Sequence, residues 1–254
     1  MKLRGRNVEK PWGRTGLPGP FPQPRTGRVG EIVFEGPPDL PLLAKYIFTS
    51  ERLSIQVHPD DREARTRGVP HGKSECWVIL DAEPGSVLGL GLTADVSRER
   101  LRAAAQDGSI EGLLAWREVS AGDVYFVPAG TVHAIGGGIA LLELQQNCDV
   151  TYRLYDYGRP RELHLEDGVA VADPGPWRPA PAPPPPLLVD APPFRLWRIE
   201  HGVDPAPDHL RWVLPWEGNV ESEGEGAGPG ECLLVEPGAP LAFSAGSVVF
   251  VGSE

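Results

Sequence analysis

Three short segments of this chain carry side chains able to hold a metal ion. The first is Ser54-Ile55-Gln56-Val57-His58-Pro59-Asp60. Side chains alternate along a strand, so Ser54, Gln56 and His58 share one face, while Leu53, Ile55 and Val57 share the other. Such a polar face suits either solvent or a barrel interior lined with ligands. The second segment is Gly72-Lys73-Ser74-Glu75-Cys76-Trp77, where Glu75 opens an apolar strand, as an edge charge or as an inward ligand. The third runs from Gly122-Asp123 through Val124–Val127 and a Pro128-Ala129-Gly130 turn to His133. His58, Glu75 and His133 supply two imidazoles and a carboxylate, enough for a catalytic metal that keeps open positions for water or substrate. Gln56 adds an amide oxygen.

Other metal and nucleotide readings are weaker. Cys76, Cys148 and Cys232 are odd in number and far apart, with no CxxC pair, so neither a disulfide framework nor a closed thiolate site is expected. His71 sits on the turn before Glu75, and His164, His201 and His209 lack ligating company. Gly72-Lys73-Ser74 resembles the end of a phosphate-binding loop, yet Arg67 stands where that motif needs its first glycine and a strand follows instead of a helix.

The elements that must position these residues are mostly strands. Short β-type runs are expected at Glu31–Glu35, Leu42–Thr49, Leu53–Val57, Cys76–Leu80, Val124–Val127, Ile139–Gln145 and Val150–Tyr155. Ser97 caps a predicted helix over SRERLRAAAQD that stops at Gly108, with SIEGLLAW continuing as a further helical turn or two. Shorter runs follow at Phe194–Ile199, Leu210–Leu214, Cys232–Val235 and Ser247–Val251. Between the two groups, Pro174 to Pro193 holds too many prolines for helix or central strand and reads as a stiff connector. The expected organisation is 1–173, a linker over 174–193, and 194–254.

Gly122, Pro128, Gly130 and His133 match G-x5-P-x-G-x2-H, the second motif of the cupin barrels, with Gly137 replacing its usual terminal Asn. SIQVHPDD, GKSECW, VPAGTVHAIGGG and LLELQQNCDVTYRLYDYGR, together with EKPWG near the start, closely resemble the type I mannose-6-phosphate isomerases in their short bacterial form. The likeness covers about residues 8–173; the tail matches loosely. It departs at GEIVFEG, where Glu31 fits the family pattern but the usual Ser-Trp does not follow. The resemblance implies a mainly β chain, a cupin (jelly-roll) barrel with a small helical insertion and a smaller, degenerate C-terminal β domain. It also implies a zinc-dependent aldose–ketose isomerase interconverting mannose 6-phosphate and fructose 6-phosphate, with one Zn2+ per chain on Gln56, His58, Glu75 and His133. It assigns catalysis to Arg153, Lys73 and Glu143, and substrate binding to Lys45 and Ser54.

The residues support that chemistry on their own. The chain has four lysines, Lys2, Lys10, Lys45 and Lys73, against twenty arginines. Lysine is therefore kept where a compact point charge suits better than a guanidinium fork. Moving a proton between C2 and C1 of an open-chain sugar builds negative charge on its oxygens, which a Lewis acid and fixed cations stabilise. The base is either Glu143 or a zinc-bound hydroxide. Lys45, Lys73, Arg153 and Arg159 are the cations available for a phosphate.

Composition narrows the partners. With 24 basic and 35 acidic residues the formal charge is −11, so nucleic acid and anionic membrane are disfavoured at long range. No apolar run approaches the roughly 18–20 residues of a membrane span, and MKLRGRNVEKPWG has no apolar signal core. A cytoplasmic enzyme acting on a small sugar phosphate is expected, as monomer or homodimer. Two other functions fit the same ligands: a metal-binding sugar-phosphate sensor without turnover, and an Fe(II) dioxygenase using two His and one carboxylate.

Overall fold

A computed structural model describes residues 1–200 and 202–254; His201 lies outside the described residues. The chain is mainly β. A five-stranded sheet runs Tyr152–Tyr155, Ile55–Val57, His133–Ile135, Val87–Leu92, Leu114–Glu118. Opposite it lie Lys2–Arg14, Val29–Glu35, Leu42–Phe48, Ile139–Gln146, Glu75–Ala82 and Val124–Val127, antiparallel neighbours in that order. Trp12, Ile47, Trp77, Ile79 and Leu141 from this sheet pack with Leu88, Leu90 and Ile135 from the first, closing a jelly-roll barrel.

The central strands of the larger sheet, Leu42–Phe48, Ile139–Gln146 and Glu75–Ala82, are largely buried on both faces, which explains their near-continuous apolar runs. Ala44, Tyr46, Phe48, Cys76, Val78, Leu142 and Leu144 face away from the barrel. They pack with Phe194, Leu196, Trp212 and Phe250 of the C-terminal strands. Alternation then turns Lys45, Trp77 and Glu143 the other way, towards the barrel interior. Backbone pairing also crosses between the two parts, because Lys2 and Leu3 pair with Leu233 and Cys232. The C-terminal strands thus continue the same eleven-stranded sheet.

The helix expected after Ser97 forms over Arg98–Asp107; the Ser97 hydroxyl accepts from Arg100 N at 3.1 Å, and Gly108 ends it at φ 82°. SIEGLLAW departs from expectation. Only Ser109–Gly112 is helical, and Leu114–Glu118 is a strand paired with Val87–Leu92. Gly89 leaves room there for the Leu114 side chain, whose Cδ2 would lie 2.4 Å from a Cβ at that position. Helices at Asp61–Thr66 and Leu165–Val171 were not expected from the pattern. Within the proline-rich stretch, Leu187–Ala191 forms a strand with Phe194–Ile199, and Trp177 Nε1 donates to Phe126 O at 3.0 Å. No helix among the described residues is long and apolar enough to cross a membrane.

Candidate functional site

Strand register brings the three sequence segments to one end of the barrel interior. Gln56 is paired with His133 on one side and Arg153 on the other. In the facing sheet Glu143 lies between Lys45 and Trp77, and Gln145 beside Glu75. His58 follows its strand directly, tied there by Gly130 N donating to His58 O at 2.9 Å.

One donor atom from each of His58, Glu75 and His133 falls within 4.8 Å of the others. His133 Nε2 is 3.3 Å from Glu75 Oε1, and His58 Nε2 is 3.6 Å from Oε2, all almost wholly buried. Each ring's Nδ1 faces a backbone carbonyl, Val150 O at 3.0 Å for His58 and Thr131 O at 2.9 Å for His133. Nδ1 must carry the proton to make those bonds, so each Nε2 presents a lone pair. Burial holds both imidazoles below their ordinary range, His58 well below it, and the Lys73 charge lowers both further.

Two imidazole lone pairs therefore point at a carboxylate, an arrangement that repels itself unless a cation sits among them. Among the described residues the only cationic donor near the Glu75 carboxylate is the Lys73 ammonium, 3.0 Å from Oε2 and 3.1 Å from His58 Nε2. These residues fit a divalent cation with nitrogen and oxygen preference. Gln56 stands beside them, its Nε2 3.3 Å from His133 Nε2 and its Oε1 accepting from the Ser54 hydroxyl at 3.0 Å. Turned over, the same amide presents its oxygen to the group and donates to Ser54.

A cavity of about 240 Å³ opens beside this group. Lys45 Nζ reaches Glu143 Oε1 at 2.8 Å, and Trp77 Nε1 donates to Glu143 Oε2 at 2.9 Å. Burial alone would raise the Glu143 carboxyl, but Lys45 and Lys73 outweigh it and hold the group below its ordinary value. Conversely, burial disfavours the Lys45 charge, and Glu143, with Glu31 and Glu75 behind it, more than restores it. Arg153 also lines the cavity; among the described residues no carboxylate lies within 4 Å of its guanidinium, and its Nε is buried without a partner.

No family model matches the chain. A mannose-6-phosphate isomerase of Streptococcus mutans is 39% identical over 200 residues, 71% of this chain and 62% of that protein. One of Bacillus subtilis is 43% identical over 140 residues, 52% of this chain and 44% of that protein. The chain thus spans from under half to about three fifths of these relatives' length in sequence. A crystal structure of a mannose 6-phosphate isomerase from Bacillus subtilis superposes over 100% of this chain and 99% of its own, with TM-score 0.82 and 26% identity. The chain resembles the mannose-6-phosphate isomerases in sequence over 71% of its length and in fold over all of it. The fold is also that of a zinc-bound mannose 6-phosphate isomerase, at TM-score 0.71 and 15% identity.

Within this cavity the sequence expectations distribute unevenly. Lys45, Ser54, Gln56, Lys73, Glu143 and Arg153 line the cavity, and His58, Glu75 and His133 form the group at its inner end. Arg159 does not line it. Its guanidinium is spent on Asp156, Glu51 and Arg52 O, and Arg161, gripped by both oxygens of Asp156 at 2.6 Å, lines the wall instead. Tyr157 at φ 54° and Gly158 at φ 75° turn the chain just ahead of both arginines. Lys10, Glu31 and Trp77 were also missed. Lys10 Nζ is 3.4 Å from Glu31 Oε1 at the cavity, so three of the chain's four lysines line one space. Their scarcity was a signal that covered Lys10 too. Of the remaining histidines, His164 Nδ1 faces Arg153 N at 3.4 Å and His209 is exposed.

Proposed function

We propose that this chain is an aldose–ketose isomerase interconverting mannose 6-phosphate and fructose 6-phosphate in the cytoplasm through a cis-enediol(ate), with one zinc ion per chain. The observation that carries this reading is the meeting of buried lone-pair donors with a cation-lined cavity. An apolar substrate for oxidation has no use for Lys45, Lys73 and Arg153; an anionic sugar does.

His58, Glu75, His133 and Gln56 would hold the metal, which when bound supplies Lewis acidity to the sugar's oxygens. Arg153, without a carboxylate partner among the described residues, is the cation available to stabilise charge that builds on those oxygens as the carbon-bound proton leaves. Glu143 is ionised and its Oε1 is shared with Lys45 at the cavity wall, so it can carry the proton between C2 and C1 at that atom. Trp77 holds the other oxygen and fixes the carboxylate plane. Ser54 and Lys45 orient the substrate, and the barrel walls limit water around the proton in transit.

The test is a coupled assay following fructose 6-phosphate formed from mannose 6-phosphate. It is run on the protein as purified, after chelation, and after adding zinc or ferrous iron. Activity lost on chelation and restored by zinc supports the isomerase. Tight binding of zinc and sugar phosphate without turnover overturns it in favour of a sensor.

A further inference from the structure

We propose that Asp61 and Gln146 are positioning residues that set the affinity of the His58–Glu75–His133 group for its metal, by clamping the Gly72–Glu75 segment against the turn that follows His58. The inference rests on the metal reading above. Neither side chain is one of the clustered donors or lines the cavity.

Three successive backbone N–H groups run through this segment, and each has a separate acceptor. Gly72 N donates to Asp61 Oδ1 at 2.8 Å, Lys73 N to Pro59 O at 3.0 Å, and Ser74 N to Gln146 Oε1 at 2.9 Å. Gln146 Nε2 in turn donates to Asp61 Oδ1 at 2.9 Å, which links the two side chains into one bridge. The Gly72 N–H, more than any other group, holds the Asp61 carboxyl below its ordinary value. With all three amides spent on protein acceptors, Gly72-Lys73-Ser74 offers no cradle to a phosphate.

The bridge spans the parts of the chain that carry separate ligands. Asp61 lies three residues beyond His58, the clamped segment ends in Glu75, and Gln146 ends the strand whose Gln145 is paired with Glu75. Ser74 Oγ extends the tie to the turn before His133 by accepting from Ala129 N at 3.1 Å. Backbone approach is close enough to require glycine at 72. A Cβ there would sit 2.4 Å from Asp60 C and 2.6 Å from Asp61 N, atoms that have no flexible end to yield. Loosening Asp61 frees Gly72 and Gln146 together, so the Glu75 carboxylate loses its fixed distance from the His58 ring. Metal affinity depends on such outer hydrogen bonds because they remove the cost of ordering the donors at binding.

The experiment measures zinc affinity of the metal-stripped full chain by competition with a chromophoric chelator, beside the melting temperature of each metal-free form. D61A and Q146A are expected to weaken zinc by roughly 10–100-fold. D61N keeps an acceptor at Oδ1 and is expected to stay within about threefold of wild type. Should D61A not fold, Q146A carries the same expectation. A D61A or Q146A chain that folds and binds zinc as wild type does overturns the inference. So does D61N as weak as D61A, which would make the effect one of charge rather than position. Wild-type protein that binds no zinc overturns the metal reading itself, a result distinct from both.

Discussion

The Lys73 ammonium lies 3.1 Å from His58 Nε2, on the same lone pair that a bound cation would take. It also sits 3.0 Å from Glu75 Oε2. A bound cation and the ammonium in this position would exclude each other at His58.

Lys73→Met is therefore expected to tighten zinc binding while lowering turnover. Removing one positive charge beside the group should gain on the order of tenfold in affinity, about 1.4 kcal/mol. Chelator competition and the coupled assay read the two effects separately. Weaker zinc binding in K73M would show that the lysine supports the group rather than competing with it.

Arg153→Ala should lower kcat/KM by about 10²–10³. No carboxylate partner is left stranded by this change, so the thermal melt should stay near that of wild type. A large loss of stability with R153A would assign Arg153 to the fold.

Lys45 and Glu143 behave differently, because Glu143 is buried, Lys45 is largely so, and each leans on the other at 2.8 Å. Lys45→Met strands the carboxylate and is expected to cost about 3–5 kcal/mol in denaturant unfolding. Adding Glu143→Gln to K45M removes the stranded charge and should return part of that loss. A double variant less stable than K45M would argue against the pairing.

Acid should weaken the metal-free protein in a defined window. Burial holds His58 and His133 below their ordinary value of 6.5, so the unfolded chain takes up protons that the native state does not. Their contribution to stability is complete above pH 6.5 and falls away as pH drops below it. Melting temperatures of chelated protein between pH 8 and pH 5 should decline, and H58Q/H133Q should decline less steeply. Parallel profiles for the two proteins would remove these histidines as the cause.

Local pattern carried much of the site. Alternation put Ser54, Gln56 and His58 on one face, and the turn spacing from Gly122 to His133 marked the strand that bears the second imidazole. These signals are short in sequence and follow from backbone geometry alone. Glycine hid what alternation would otherwise have revealed. Val87–Leu92 carries Gly89 and Gly91 and was not expected as a strand, although it pairs with both neighbours. SIEGLLAW looked helical because Leu114 and Trp116 take their extended conformation from pairing with Val87–Leu92, which local pattern does not reveal.

What the sequence by itself determined was therefore the class of the fold, the donors that share a strand face, and the scarcity of lysine. Only the tertiary structure decided the partners. Lys45 meets Glu143 across two strands, Trp77 closes on the same carboxylate, and Asp61 reaches Gly72 and Gln146 from a separate turn. It also chose Arg161 over Arg159, because Asp156, Glu51 and the Arg52 carbonyl hold the Arg159 guanidinium while Arg161, gripped by Asp156, stays on the cavity wall. Side-chain direction follows from local backbone geometry, but which residues meet depends on strand register and sheet packing, set by the whole buried core at once.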